Sequence, residues 1–254
     1  MADLDLAELS DWISKARDNG AVVVVTHKNG DMDTIGSGLV LATTIGSSAR
    51  ACGVHIGTLA KRMMKGADVI FHSLDSKRPI LPRNIGGIIV VDSASPGQIG
   101  FDLPDSTPLC IIDHHGAASE EWPGTALLIN RDTSSTAEII WELIKITDNT
   151  ISPLSGRLLL AAIVADTGRF KHARPGCYQR VEEIIAASGI DVVDVINEME
   201  SEDLNQSQRI AILHAVSNSK CQTVANIVVA TTRARTHEGA VAHALLAAGA
   251  HVAL

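Results

Sequence analysis

The chain has 254 residues, 46% of them hydrophobic, which is enough to bury one large core, or one core and a smaller second lobe, as a soluble globular protein. A net charge of −8 and an aromatic content of 3% exclude the basic, ring-bearing face that grips long nucleic acid, and leave short anionic substrates open. The acidic start MADLDLAELSDW has no apolar core of a secretory signal, and the longest apolar run, LLLAAIVA, is far too short to span a bilayer, so a cytoplasmic protein with no membrane partner is expected.

Residues 4 to 18 carry a helical pattern. The β-branched run AVVVV, residues 21–25, does not alternate, as expected of a strand buried on both faces. TIGSGLVLATTIG then reads as a helix, and further strands follow near RACGV, DVIFH, GGIIVVD, PLCIID and TALLIN. This order predicts an α/β fold, a doubly wound and mainly parallel sheet covered by helices.

After TALLIN the chain turns helical. Ser135, with Glu138 three residues on, fits a capping box for TAEIIWELIKI. Ser152 before Pro153 fits the N-cap and first position of a helix running to Asp166. Helical patterns continue through QRVEEIIAAS, DVVDVINEM and SQRIAILHAVSN; TVANIVVATT then reads as one strand, EGAVAHALLAAG as a helix, and HVAL as part of another strand. The expected organisation is a domain over 1–175, a helical linker over 176–222 and the start of a second, partial α/β lobe over 223–254. Cys52, Cys110, Cys177 and Cys221 show no C-x-x-C spacing and are expected to be reduced and mostly buried.

The chemistry gathers where strands end. VVVVTHKNGDMD places His27, Asp31 and Asp33 after one strand, IIVVDSASPG places Asp92 after another, and LCIIDHHG places Asp113, His114 and His115 at a third. Loops at the carboxyl ends of parallel strands share one crevice, so these residues can meet. An aspartate after a strand also serves as a turn residue, and Asp33 suits the cap of the helix that follows it; ligand and cap can coexist in one side chain. Three strand ends that all carry ligand-type residues point to a joint role. Crowded carboxylates are costly unless something positive lies between them.

THKNGDMDTIGSG, VVDSASPG, IIDHHG and AAIVADTGRF, in that order over roughly residues 20 to 175, resemble the four motifs of the DHH phosphoesterase superfamily, which includes RecJ-like exonucleases, nanoRNase/pAp phosphatases, cyclic-dinucleotide phosphodiesterases and family II inorganic pyrophosphatases. RDTSSTAEII is similar to the Ser-Thr-Ala-Glu helix start that follows the family's third motif. The resemblance implies a site for two ions, usually Mn2+, with Mg2+ or Co2+ as substitutes. His27, Asp31 and Asp92 would hold one ion, and Asp33, Asp92, His114 and Asp166 the other, with Asp92 bridging. Oxygen and imidazole donors suit manganese, and four carboxylates balance two divalent ions.

The implied reaction is hydrolysis of phosphoester bonds in short oligonucleotides or small nucleotides by a water activated between two metals. Asp113 is expected to orient His114, and His115 to face the substrate as hydrogen-bond donor or general acid. Arg169, Lys171 and His172, with Arg174, in GRFKHARPG suit contacts to further phosphates, as a solvated loop also would; Ser134, Ser135 or Thr136 would lie near the substrate. His55, His72, His214, His237, His243 and His251 join no constellation.

VANIVVATTRARTHEGAVAHALLAAGAHVAL is similar to the beginning of the family's C-terminal DHH-associated substrate-binding lobe, here expected to be truncated or reduced, because the Gly-Gly-Gly-His loop of the nuclease branches is absent. The Ser-Arg-Lys motif of family II pyrophosphatases is absent too. An inorganic pyrophosphatase or exopolyphosphatase-like hydrolase is the alternative enzyme. A weakly active RecJ-like subunit that binds a nucleotide, or a replication or repair protein, is the alternative of another class, and a homodimer fits either.

Overall fold

The computed structural model describes residues 2–66, 70–116, 122, 124–201 and 205–254. It divides into two compact units, Met1–Glu200 and Ser201–Leu254. The first unit is built on six parallel strands: β1 (Ala21–Thr26), β2 (Ala49–Gly53), β3 (Phe71–Ser73), β4 (Ile85–Val91), β5 (Leu109–Asp113) and β6 (Thr125–Asn130), in the order β3-β2-β1-β4-β5-β6. Val22 to Val25 of β1 are at most 1% exposed, which explains why this strand does not alternate. The chain runs outward from β1 to β3 and then returns to lay β4 on the other side of β1. The strand order therefore reverses between β1 and β4, and their carboxyl ends open a crevice there.

The two faces of the sheet differ. Helices α1 (Ala2–Asn19), α2 (Met32–Ile45), α3 (Thr58–Met63), α4 (Thr136–Ile146), α5 (Pro153–Asp166), α6 (Cys177–Ser188) and α7 (Val192–Glu200) all feed one large core that includes Val22 and Val24. The opposite face, which carries Val23, Val25, Ile88 and Val90, is covered among the described residues by Ile99, Phe101, Leu103, Leu74, Leu81 and Trp122, all outside helices and strands except where Pro96–Gln98 forms one turn of 3-10 helix. The expected parallel α/β sheet is thus present, with its helices gathered on one face. Helix α2 is buried nearly all round, which is why it reads as uniformly apolar rather than amphipathic. At Gly86 an added Cβ would lie 1.9 Å from the carbonyl oxygen of Ala16, so glycine lets α1 lie directly on β4.

Helices α6 and α7 belong to the first unit, where Val181, Ile184 and Val195 join its core, rather than forming a linker with the helix that follows. The second unit holds α8 (Gln206–Ser217), β7 (Lys220–Val224), β8 (Ile227–Thr231), α9 (Glu238–Ala247) and β9 (Val252–Ala253). The segment expected as one strand, TVANIVVATT, is split. Ala225 and Asn226 have φ of 46° and 67°, a two-residue turn that joins β7 and β8 as an antiparallel hairpin. Asparagine tolerates the left-handed region, so the turn sits inside a run whose apolar content reads as continuous. Strand β9 then pairs parallel to β8 after α9, around a small core of Ala215, Ala230, Val241 and Leu245. Cys52, Cys110 and Cys177 are buried free thiols and Cys221 is exposed; burial pushes the Cys52 thiol up to about 12. Among the described residues, no helix is long and apolar enough to cross a membrane.

Candidate metal centre

Thr34 sets the floor of the crevice: its hydroxyl receives the His27 N–H (3.1 Å) and donates to the Val91 carbonyl (3.2 Å), pinning the ends of β1 and β4 together. The loop between them turns at Gly30, whose φ is 58° and where a Cβ would stand 2.2 Å from the His55 carbonyl oxygen. Asp31 is the N-cap of α2, accepting from the Thr34 N–H at 3.2 Å, and its other oxygen lies 3.0 Å from His27 Nε2. The cap of α2 is therefore Asp31 and not Asp33.

Asp33 caps a different helix. Its oxygens accept from the backbone N–H groups of Thr136 (2.7 Å) and Ala137 (3.0 Å) at the start of α4, and from the Ser37 hydroxyl (3.1 Å). Burial raises its pKa well above the usual carboxylate range, helped by the charges of Asp92 and Asp166, while the α4 donors act to keep it ionised.

Asp92 stands between the two imidazoles. One of its oxygens lies 3.4 Å from His27 Nε2 and the other 3.4 Å from His114 Nε2. Its φ of 59° is unusual for a non-glycine residue, and the Thr136 hydroxyl donates to it at 3.2 Å. Although burial acts the other way, the two histidines hold this carboxyl well below the usual range. Asp166 is the last residue of α5, where the helix dipole disfavours a negative charge, and burial raises its pKa.

His114 Nε2 faces three carboxylates, Asp166 at 3.2 Å, Asp92 at 3.4 Å and Asp33 at 3.9 Å, yet among the described residues it is buried with no hydrogen-bond partner. A buried imidazole nitrogen ringed by carboxylate oxygens, none placed as a hydrogen-bond partner, suits a cation, which competes there with a proton. His27, Asp31 and Asp92 form one group whose ligand atoms lie within 4.8 Å of one another; Asp33, His114 and Asp166 form a second, and Asp92, His114 and His115 a third. All six residues expected as metal ligands thus meet in the crevice.

Asp113 does not orient His114. Its Oδ1 lies 2.7 Å from His115 Nδ1, and this contact raises the His115 pKa; His114 instead directs Nδ1 towards the Thr133 carbonyl at 3.4 Å. At the end of β5, residues 113 and 115 share one side, so the nearer partner of Asp113 is the second residue on. His115 is half exposed, with its ring 4.4 Å from that of His114.

The residues expected to touch substrate separate into two sets. Ser135 and Thr136 are 0% exposed, so they support the carboxylate wall instead of meeting solvent, and Ser134 is buried as well. The capping box is not formed. Ser135 makes no cap to its own helix, because Asp33 already takes the first α4 amides, and Glu138 accepts the Ser134 N–H at 2.8 Å. Lys171, His172 and Arg174 are exposed on the loop after Asp166, which is tied down by the Arg174 N–H donating to Ser134 Oγ (2.8 Å); the Arg174 guanidinium pairs with Asp132. Arg169 is turned to Glu200, 2.8 Å away, and not to the crevice. Sequence reasoning missed Thr34, and the pairing of the fully buried Glu138 with Arg180 at 3.0 Å, since nothing local marks a threonine seven residues after His27 or a partner 42 residues on.

Burial disfavours charging the two imidazoles, but hydrogen bonds to Asp31 and Asp92 lift His27 to about 10, and Asp92, Asp33 and Asp166 lift His114 to about 9. Raised above 6.5, each contributes stability that is complete below that value and lost as pH climbs through about 9 to 10. The metal-free fold is therefore expected to lose thermal stability above neutral pH, while the increment from added manganese grows as fewer protons compete for the same nitrogens. Melting curves with manganese and with chelator check this across the range; an increment independent of pH would place the cation elsewhere.

Comparison with known proteins agrees with this geometry. The family model described as "DHH family, N-terminal domain" matches residues 21–165. The chain is 26% identical over 238 residues to the uncharacterized protein MJ0988 of Methanocaldococcus jannaschii, covering 91% of this chain and 70% of that one. It is 25% identical over 181 residues to a probable manganese-dependent inorganic pyrophosphatase of Enterococcus faecalis, covering 69% of this chain and 56% of the relative. Against the crystal structure of an exopolyphosphatase-related protein from Bacteroides fragilis the TM-score is 0.67 at 21% identity, over 90% of this chain and 69% of that one, a likeness of fold. Since the matched region runs from the first residue of β1 to the residue before Asp166, and so takes in all the strand-end residues of the crevice, the chain belongs to the DHH family, whose members are phosphoesterases.

Proposed function

We propose that this chain is a manganese-dependent phosphoesterase that hydrolyses short oligonucleotides or small nucleotides with water as the nucleophile. The observation that carries this reading is the placing of Asp92, one oxygen towards His27 and the other towards the orphaned His114 Nε2. His27, Asp31 and Asp92 would hold one cation, and Asp33, Asp92, His114 and Asp166 the other. When bound, the pair supplies the positive charge that acidifies a water and polarises the phosphoryl oxygens. Water adds to phosphorus and gives up a proton to solvent, the P–O ester bond breaks, and the leaving oxygen takes a proton from His115, which solvent restores. Asp113 favours the charged form of His115 and orients its ring for that step. Exposed Lys171 and His172 supply charge and hydrogen bonds for a further phosphate.

The oxygen-rich donor set leads to a first test. Excess chelator is expected to abolish hydrolysis, and manganese to restore it better than calcium, which takes more oxygens at longer range. Dinucleotides, pAp, cyclic dinucleotides, single-stranded DNA and pyrophosphate, each assayed with manganese, identify the substrate. Full activity in chelator ends the metal reading. Pyrophosphate turned over faster than every nucleotide would favour the second reading, an inorganic pyrophosphatase or exopolyphosphatase-like hydrolase, which the names of two matched proteins support.

His115 and the metal ligands should separate experimentally. His115→Ala is expected to keep its manganese and to lose kcat by ~10²-fold, as a general acid does, because its ring is half exposed and its Nδ1 is engaged by Asp113, which leaves Nε2 to face substrate. Metal analysis of the purified variant together with kcat decides it: manganese lost along with turnover would make His115 a ligand.

A further inference from the structure

The face of the sheet that no helix covers among the described residues carries two polar residues where a parallel sheet ordinarily carries aliphatic ones. In the pairing register, Arg50 of β2 stands beside Val23 of β1, and His72 of β3 stands beside Cys52 of β2. Arg50 and Cys52 are two residues apart on one strand, so all four project to the same face. The segment following β3 passes over them and brings in Leu81 and Arg83. Together they line a cavity of about 410 Å³, within the range of small-molecule sites.

Its floor is apolar and its rim is cationic. Val23 and Cys52 are buried, whereas Arg50 and Arg83 are exposed, so their stems line the cavity while their guanidinium groups stay hydrated. Arg131, Arg157, Arg169, Arg174 and Arg180 each pair with a carboxylate, but among the described residues none lies within 4.0 Å of Arg50 or Arg83. In a chain of net charge −8, two guanidinium groups with no carboxylate partner among the described residues, and an imidazole, line one apolar cavity, a lining that suits an anionic ligand. None of the residues of the metal centre lines this cavity.

We infer that this cavity is a second binding site, for a phosphorylated small molecule with a flat apolar body, of which a nucleoside monophosphate is the fitting class. The base lies on Val23, Cys52 and Leu81, and the phosphate takes its hydrogen bonds from Arg50, Arg83 and His72. The inference stands without the proposed reaction, because it uses no residue of the crevice.

Equilibrium dialysis of the whole chain in chelator, with AMP, adenosine and inorganic phosphate as separate probes, tests it. One AMP per chain is expected, with adenosine and phosphate each at least ~10-fold weaker, since each fills half of the site. Arg50→Gln and Arg83→Gln are each expected to weaken AMP by ~10-fold or more, and Asp92→Asn to leave its binding unchanged. Arg83 lies on the exposed covering segment, so its variant keeps the test decisive should the Arg50 variant misfold. Absence of AMP binding, equal binding by the Arg83 variant, or loss of binding in the Asp92 variant would overturn the inference. Phosphate bound as tightly as AMP would overturn the two-part ligand.

Discussion

Asp92→Asn is expected to lose both metal occupancy and turnover, the latter by more than ~10³-fold, a larger loss than removal of a single hydrogen-bond donor from an anion site produces. The substitution keeps the side chain's shape and its acceptor for the Thr136 hydroxyl, so the fold has little reason to change. What disappears is one of two oxygens that face His27 and His114 at 3.4 Å each. The two donor groups then no longer share a charged ligand. Each is left with weaker charge balance, and an amide nitrogen turned towards either imidazole repels a cation there. Manganese content of the purified variant, measured beside kcat, checks the expectation. A variant that retains full manganese while losing turnover would make Asp92 a catalytic group rather than a bridge.

Much of this site was legible in the sequence because its residues follow strands. A run such as AVVVV or GGIIVVD declares a buried strand, and the residue after it must lie at the carboxyl end of the sheet, where parallel neighbours place theirs. That reasoning brings His27, Asp92 and His114 together without knowledge of the strand order. What it cannot supply is pairing across the fold. Asp33 caps α4 through amides 103 and 104 residues away, a partnership with no local trace, and Glu138 therefore lacks its expected role in a capping box. The choice of Asp113 between His114 and His115 turns on which side each ring faces after β5 ends, which no spacing rule settles. The hairpin at Ala225 and Asn226 was hidden by apolar residues on both sides of it. The sparsely covered face of the sheet was hidden for the opposite reason, since loops leave no periodic signal.

Two carboxylates of the same crevice, both raised in pKa by burial, should respond to substitution with opposite signs, because only Asp33 satisfies backbone N–H groups. Asp33 holds two backbone N–H groups at the start of α4 and is buried, so Asp33→Ala leaves two buried donors without their acceptor. Each buried donor left without an acceptor costs about 1–3 kcal/mol, and the metal-free protein is expected to lose about 2–4 kcal/mol, seen as a lower urea midpoint with an unchanged slope. Asp166 presents the reverse case. It ends α5, where the helix dipole repels a carboxylate, and burial together with the charges of Asp92 and Asp31 raises its pKa, the attraction of His114 notwithstanding. A raised carboxyl pKa means that the ionised form at neutral pH costs the metal-free fold stability. That cost is absent below about pH 3.8 and grows as the group ionises. Asp166→Asn should therefore melt higher than the parent in chelator and lower than the parent in manganese, since it removes both the repulsion and a ligand. The crossing of the two curves separates a carboxylate kept for a cation from one kept for the fold. If Asp166→Asn were destabilised equally in chelator and in manganese, Asp166 would be structural, and its place among the ligands would have to be given up.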